Sequence, residues 1–293
     1  MKYKTILRNG AILLAASVLT LSACKRESNS GNGTPANGDD NGGYASDAAK
    51  MENNSNDVVS IADAANTGST VNLRTTATTA TTIGTCAHIT SDSTVSGGVT
   101  TRVLTIDFGT TDCVCVDSKS RRGAIVVTYT GAYKDSGSVR TITYSNYYVN
   151  DNHISGSKTV TNKGKNTSGQ VYYTVNVNDS LTTTTDSVIT WTGSRIRTWS
   201  AGYLTPERTD DVYLISDAGS TGTTLRRANG HTFTFSITTP LQVALDCPYV
   251  EAGILTITGS SITGSRILNF GTGDCDNRAD LTIGGTTYHI LLH

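Results

Sequence analysis

Charge is scarce in this 293-residue chain: only 16% of residues are Asp, Glu, Lys or Arg, and 23 basic residues face 24 acidic ones. A balance of −1 without a basic stripe excludes the electrostatic footprint of a dedicated nucleic-acid binder. Proline occurs four times and aromatic residues make up 6%. The longest weakly polar-to-apolar run, Ala11 to Leu21, is too short to cross a bilayer as a helix. No Gly-x-Ser-x-Gly elbow, His-Glu-x-x-His pair or glycine-rich phosphate loop is present, so the common hydrolase, metalloprotease and nucleotide signatures are missing. Threonine leads the composition, and Val, Ile and Tyr dominate its apolar part. Such residues suit pleated, half-solvated strands and exclude an all-α fold.

The first residues carry an address. Lys2, Lys4 and Arg8 precede the apolar run, which is the order of charged and hydrophobic regions in a secretory signal. The run closes on Leu21-Ser22-Ala23-Cys24, which resembles the lipobox of bacterial lipoproteins. The resemblance implies cleavage after residue 23, a diacylglyceryl group on the Cys24 thiol, and a lipid-anchored protein facing the periplasm or the cell surface. Lys25 follows the cysteine in place of an inner-membrane retention Asp, so the implied location is the outer membrane. Losing residues 1–23 removes three cations and no anion, and the net charge moves from −1 to −4. Further along, Ile106-Asp107-Phe108-Gly109-Thr110 and Tyr147-Tyr148-Val149-Asn150-Asp151-Asn152 resemble β-rich lipoproteins of Bacteroidota. That likeness implies a secreted, membrane-tethered, non-catalytic protein and supplies no activity.

Residues 24–45, rich in Ser, Asn, Gly and Asp, have little to bury and are expected to form a flexible tether. Over 46–66 the character changes. Val58, Ile61, Ala62 and Ala65 fall on one helical face, which predicts a short helix capped by Ser46 or Asn54. From 70 to 293 the period becomes two: Leu104, Ile106 and Phe108 alternate with polar residues, and so do Ile125, Val127 and Tyr129, and Val171, Tyr173, Val175 and Val177. Turn chemistry falls at Asn150-Asp151-Asn152, Asn178-Asp179, Asn229-Gly230 and Gly284-Gly285. The expected fold is therefore all-β, with antiparallel sheets forming a sandwich or a partly open barrel.

An internal repeat places the cysteines. Arg102-Val103-Leu104-Thr105-Ile106-Asp107-Phe108-Gly109-Thr110-Thr111-Asp112-Cys113 returns, shortened, as Arg266-Ile267-Leu268-Asn269-Phe270-Gly271-Thr272-Gly273-Asp274-Cys275, within units 86–133 and 247–293. Cys86 precedes the first copy much as Cys247 precedes the second. Duplicated units each closed by a disulfide follow: Cys247 with Cys275, and Cys86 with Cys113 or Cys115. One cysteine is left over. A metal reading of Cys113-Val114-Cys115 would need His88 as a further ligand and is the weaker account, and no metal or cofactor is expected.

Two candidate sites remain. Tyr144 and Tyr148 fall in one strand phase, as do Trp191 and Trp199 with Arg195 and Arg197 between them. Aromatic faces edged by guanidinium groups suit glycan rings or a protein partner. Glu207 with Asp210 or Asp211 is the acid pair that a secreted carbohydrate-active enzyme would use. The favoured expectation is a lipid-anchored, non-catalytic binding or adhesion protein of the envelope. A glycoside hydrolase and a purely structural envelope component are the alternatives.

Overall fold

The computed structural model describes residues 41–67, 86–219, 223–259 and 264–292. One helix, α1 (Asn41–Thr67), is followed by fifteen strands: β1 (His88–Ser96), β2 (Val99–Asp107), β3 (Cys113–Val114), β4 (Ser120–Thr130), β5 (Val139–Val149), β6 (Asn152–Lys165), β7 (Val171–Thr182), β8 (Val188–Ala201), β9 (Val212–Asp217), β10 (Thr223–Arg227), β11 (Thr232–Ala244), β12 (Ala252–Gly259), β13 (Arg266–Thr272), β14 (Arg278–Ile283) and β15 (Thr286–Leu291). The fold is all-β and sandwich-like. All strands belong to one antiparallel sheet in the order β1-β2-β4-β5-β6-β7-β8-β10-β11-β12-β13-β14-β15, with β3 on β4. Strand β9 joins β8 to β11 end to end with β10, because the first half of β8 pairs with β10 and its second half with β9.

The inner face is the one the alternation predicts. Leu104, Ile106, Phe108, Ile125, Val127, Tyr129, Val171, Tyr173, Val175 and Val177 are all buried, as period-two strands with one covered face require. What covers that face is α1. The helix packs against β2, β4, β11 and β14, which lie far apart in the sheet order, so the sheet curves around it. Burial of some fourteen helical side chains removes them from water on nearly every side. A helix enclosed this way needs no single apolar stripe.

Several expectations need correction. The helix begins at Asn41, ahead of the expected 46, because Tyr44 and Ala45 are core residues; the Tyr44 ring lies 4.7 Å from that of Phe233. Ser46 and Asn54 therefore sit within the helix and cap nothing. The remainder of the expected tether, the signal segment and residues 70–85 lie outside the described residues. Asn178-Asp179 is no turn: both residues are inside β7, where Asp179 continues the buried phase. Two-residue turns do form at Asn150-Asp151 and Gly284-Gly285, each with positive φ at both positions. At Asn229-Gly230 the hairpin is present but longer, with Arg227 N–H donating to the His231 carbonyl and only Gly230 at positive φ.

The repeat is a repeat in space. Each copy is a hairpin bracketed by cysteines: β1–β2 between Cys86 and Cys113, and β12–β13 between Cys247 and Cys275. The Cα separations are 5.6 and 5.7 Å. Even the turns that close the copies agree. Asp107 Oδ1 accepts from Gly109 N–H at 2.8 Å, Asn269 Oδ1 accepts from Gly271 N–H at 3.0 Å, and both glycines adopt positive φ.

Candidate functional site

Helix α1 is held by ion pairs that project in three directions. Asp47, Glu52, Asp57 and Asp63 are spaced by five, five and six residues, which at 3.6 residues per turn points them to roughly 0°, 140°, 280° and 160° around the axis. Asp47 and Asp57 meet cations of β10 and β4, while Glu52 and Asp63, on one side of the helix, meet neighbouring arginines of β8. Asp47 pairs with Arg227 at 2.6 Å and Glu52 with Arg195 at 3.0 Å. Asp57 pairs with Arg121 at 2.8 Å, and Asp63 with Arg197 at 2.7 Å and Arg140 at 3.5 Å. Burial by itself raises the Asp57 carboxyl, but Arg121 and Lys119 outweigh it and hold it below the ordinary range. Asp117 completes this cluster with a contact of 2.6 Å to Arg121.

One stripe of the helix reaches solvent. Ser46, Lys50, Asn53, Asn54, Asp57 and Ser60 recur at three- and four-residue intervals and are among the incompletely covered positions. From Lys50 to Ser60 the stripe forms the floor of a groove whose walls are the segments around Asp117 and Pro248 and the β5–β6, β7–β8 and β10–β11 turns. The groove contains a cavity of about 390 Å³ over Asn53, Asn56 and Ser60, walled by Asp117, Asp246 and Tyr249. A second, of about 460 Å³, lies over Asp47 and Lys50 against Thr183–Thr185 and Asn229. Between them Asn53, Asn54, Asn150 and Asn152 line a narrow connection. The first cavity mixes the apolar Val116, Leu245, Pro248 and Val250 with amide, hydroxyl and carboxylate groups, whereas the lining of the second is mainly polar. Asn53 Oδ1 is buried there without a hydrogen-bond partner among the described residues, so an acceptor stands ready for a donor from outside. The disulfide Cys247–Cys275 anchors the Pro248 wall to the end of β13.

The aromatic candidates are distributed differently from the expectation. Trp191 and Trp199 do share a face of continuous β8, but that face is the core, with both indoles buried. Arg195 and Arg197 do not edge a surface; they point inward to Glu52 and Asp63. Tyr144 and Tyr148 do not share a face, because a bulge at Asn146, with φ of 45°, shifts the phase of β5 against β6. Tyr144 stacks on buried Tyr147, while Tyr148 stands outside beneath the Arg122 guanidinium, 3.9 Å from its ring centre. No shared aromatic platform results from these four.

The acidic candidates do not share one environment either. Glu207 and Asp210 are exposed, and Asp210 accepts from Thr205 Oγ1 at 2.9 Å in a local turn. Asp211 is buried and accepts the Trp199 indole N–H at 3.0 Å; burial raises its carboxyl to about 6. Cys113 is bonded to Cys86, which takes one thiolate from the Cys113-Val114-Cys115 metal reading, and the buried free thiol is Cys115. Cys24 lies outside the described residues.

The helix carboxylates and the groove were missed from the sequence. Polar residues at i, i+3 and i+4 inside 46–66 were the available signal for the groove floor. The carboxylates fit no single face and so escape a one-face search. The chain matches no family model, no curated protein and no solved structure.

Proposed function

We propose that this is an outer-membrane lipoprotein, anchored through Cys24, whose β-body binds a hydroxyl-rich ligand of the glycan class in the helix groove without catalysis. The observation that carries the binding reading is the groove itself: two cavities joined along one helix stripe, one mainly polar and one with a mixed lining, floored by asparagines and serine and with Tyr249 in the wall of the mixed one. Amides and carboxylates offer the planar donors and acceptors that sugar hydroxyls need, and a tyrosine ring supplies a face for a pyranose. The lipobox resemblance supports the anchor, since a diacylglyceryl group together with an amide-linked chain supplies the several acyl chains that stable attachment requires.

The reading is tested in two arms. Membrane fractionation of Cys24→Ala cells should move the protein to the soluble fraction or leave it unprocessed, and unchanged partitioning would remove the anchor. Glycan-array binding of the full chain should give signals that Asn53→Ala and Tyr249→Ala weaken at least tenfold. An array without signal, or signals indifferent to both variants, would remove the binding site.

A further inference from the structure

The buried side chains of β7 run Val171, Tyr173, Val175, Val177, Asp179 and Leu181, so a carboxylate occupies a core position. On β6 the same face carries Lys158, opposite Val177, and Gly156, opposite Asp179. The lysine leans one pleat along the ladder, and its Nζ is in direct contact with Asp179 Oδ2; the two side chains are 1% and 4% exposed. Gly156 lets the β6 and β7 backbones approach closely beside Asp179. A Cβ there would overlap the Asn178 carbonyl and lie 2.8 Å from Asp179 Cα. The Tyr144 hydroxyl donates to Asp179 Oδ2 at 3.3 Å, and Trp191, directly opposite Asp179 on β8, holds its ring 5.6 Å from Nζ.

Hydrogen-bond accounting is poor for ions at this place. An ammonium has three donors, yet Asp179 is the one ion-pair contact of Lys158 among the described residues. Asp179 Oδ1 and Trp191 Nε1 are both buried and both lack a hydrogen-bond partner among the described residues. Two charges so incompletely served cost several kcal/mol each to bury. An amide has one N–H, one carbonyl and no charge. The same surroundings suit it, with the Tyr144 hydroxyl as a donor beside the carboxyl and the Trp191 side chain on the neighbouring strand.

We propose that Lys158 and Asp179 are joined by an intramolecular isopeptide bond between Nζ and Cγ. The ammonium first passes a proton to the carboxylate, leaving a neutral amine beside a neutral acid. Burial favours this transfer by pulling the lysine down to about 7, against the opposing charge of Glu52. The Nζ lone pair then attacks Cγ, the C–N bond forms and the C–OH bond breaks. The hydroxyl departs with a proton from Nζ as one water, and nothing is oxidised or reduced. Fixed proximity supplies an effective concentration of about 10⁵–10⁸ M for such an intramolecular step. Hydrolysis in water is drawn forward by hydration of the released ions, and this dry site withholds that gain. The bond staples β6 to β7 in the middle of the sheet, far from either disulfide in the strand order.

The test is mass spectrometry of a tryptic digest of the full chain. Acylated Lys158 resists trypsin, so residues 141–163 should appear attached to residues 166–195, lighter than the sum of the two peptides by one water. Lys158→Arg and Asp179→Ala should each abolish that species. Separate, unlinked peptides 141–158 and 166–195 from the folded wild-type chain would overturn the proposal. If both variants fail to fold, the wild-type digest still decides it.

Discussion

Replacing Asp63 by asparagine removes one charge from the helix and leaves two guanidinium groups without their counter-ion. Asp63 is 2% exposed, with Arg197 at 2.7 Å and Arg140 at 3.5 Å. Arg140 is the more vulnerable of the two. Its Nε, Nη1 and Nη2 have no hydrogen-bond partner among the described residues, and apart from Asp63 it rests on the rings of Tyr133 and Tyr129, 4.2 and 5.3 Å away. Breaking a buried pair from one side costs about 3–5 kcal/mol, and two stranded cations place Asp63→Asn at the upper end. Against a total of about 5–15 kcal/mol for a folded domain this is a large fraction. At about 2–4 °C per kcal/mol for a body of this size, the melting temperature should fall by roughly 8–20 °C. Urea unfolding followed by tryptophan fluorescence reads the change directly, since Trp199 lies beside Tyr133 in the same cluster. In an Arg140→Met, Arg197→Met background the same Asp63→Asn substitution should cost far less, because no cation is left to strand. A loss under about 1 kcal/mol in the wild-type background, or an equal loss in both, would refute the argument that charge pairing holds the helix in the sheet.

Three further outcomes follow from the same geometry. In the Cys24→Ser full chain, thiol titration should find no reactive thiol in the native protein and one in denaturant, because Cys115 is 5% exposed and burial pushes its thiol up. Cys247→Ser with Cys275→Ser opens a loop of 28 residues, worth about 3–4 kcal/mol in the chain-entropy model, and should also weaken glycan binding by releasing the Pro248 wall. Asp211 is pushed to about 6 by burial, against the opposing influence of Arg208 and the Trp199 indole, so the folded state holds its proton more tightly than the unfolded chain. Its contribution to stability must therefore fall as pH rises from about 4 to about 6, and Asp211→Asn, compared with wild type by urea midpoints at both ends of that window, should remove that part of the slope.

The alternating strands, the repeat and the Cys247–Cys275 pairing were legible in the sequence, because these depend on local periodicity and on spacing along the chain. A strand turns alternate side chains to one face, so Leu104, Ile106 and Phe108 announce their burial without reference to anything distant. The copies of Phe-Gly-Thr, each bracketed by cysteines, likewise fix which hairpins are closed, although the choice of Cys113 over Cys115 needed coordinates. Tertiary structure decided the rest, for a physical reason that recurs at each site. A polar residue reads as solvated unless its partner is known, and the partners here lie far away in sequence: Asp63 with Arg197, Glu52 with Arg195, Lys158 with Asp179. Those pairings accompany a helix enclosed on nearly every side where one apolar face was expected, and a strand interior where a turn was expected at Asn178-Asp179. They also turned Trp191 and Trp199 inward, since arginines that find carboxylates in the interior have no need to reach the rim. Only the curvature of the whole sheet brings the segments around Asp117, Asn152, Thr184 and Pro248 to one helix stripe, and no local rule encodes that meeting.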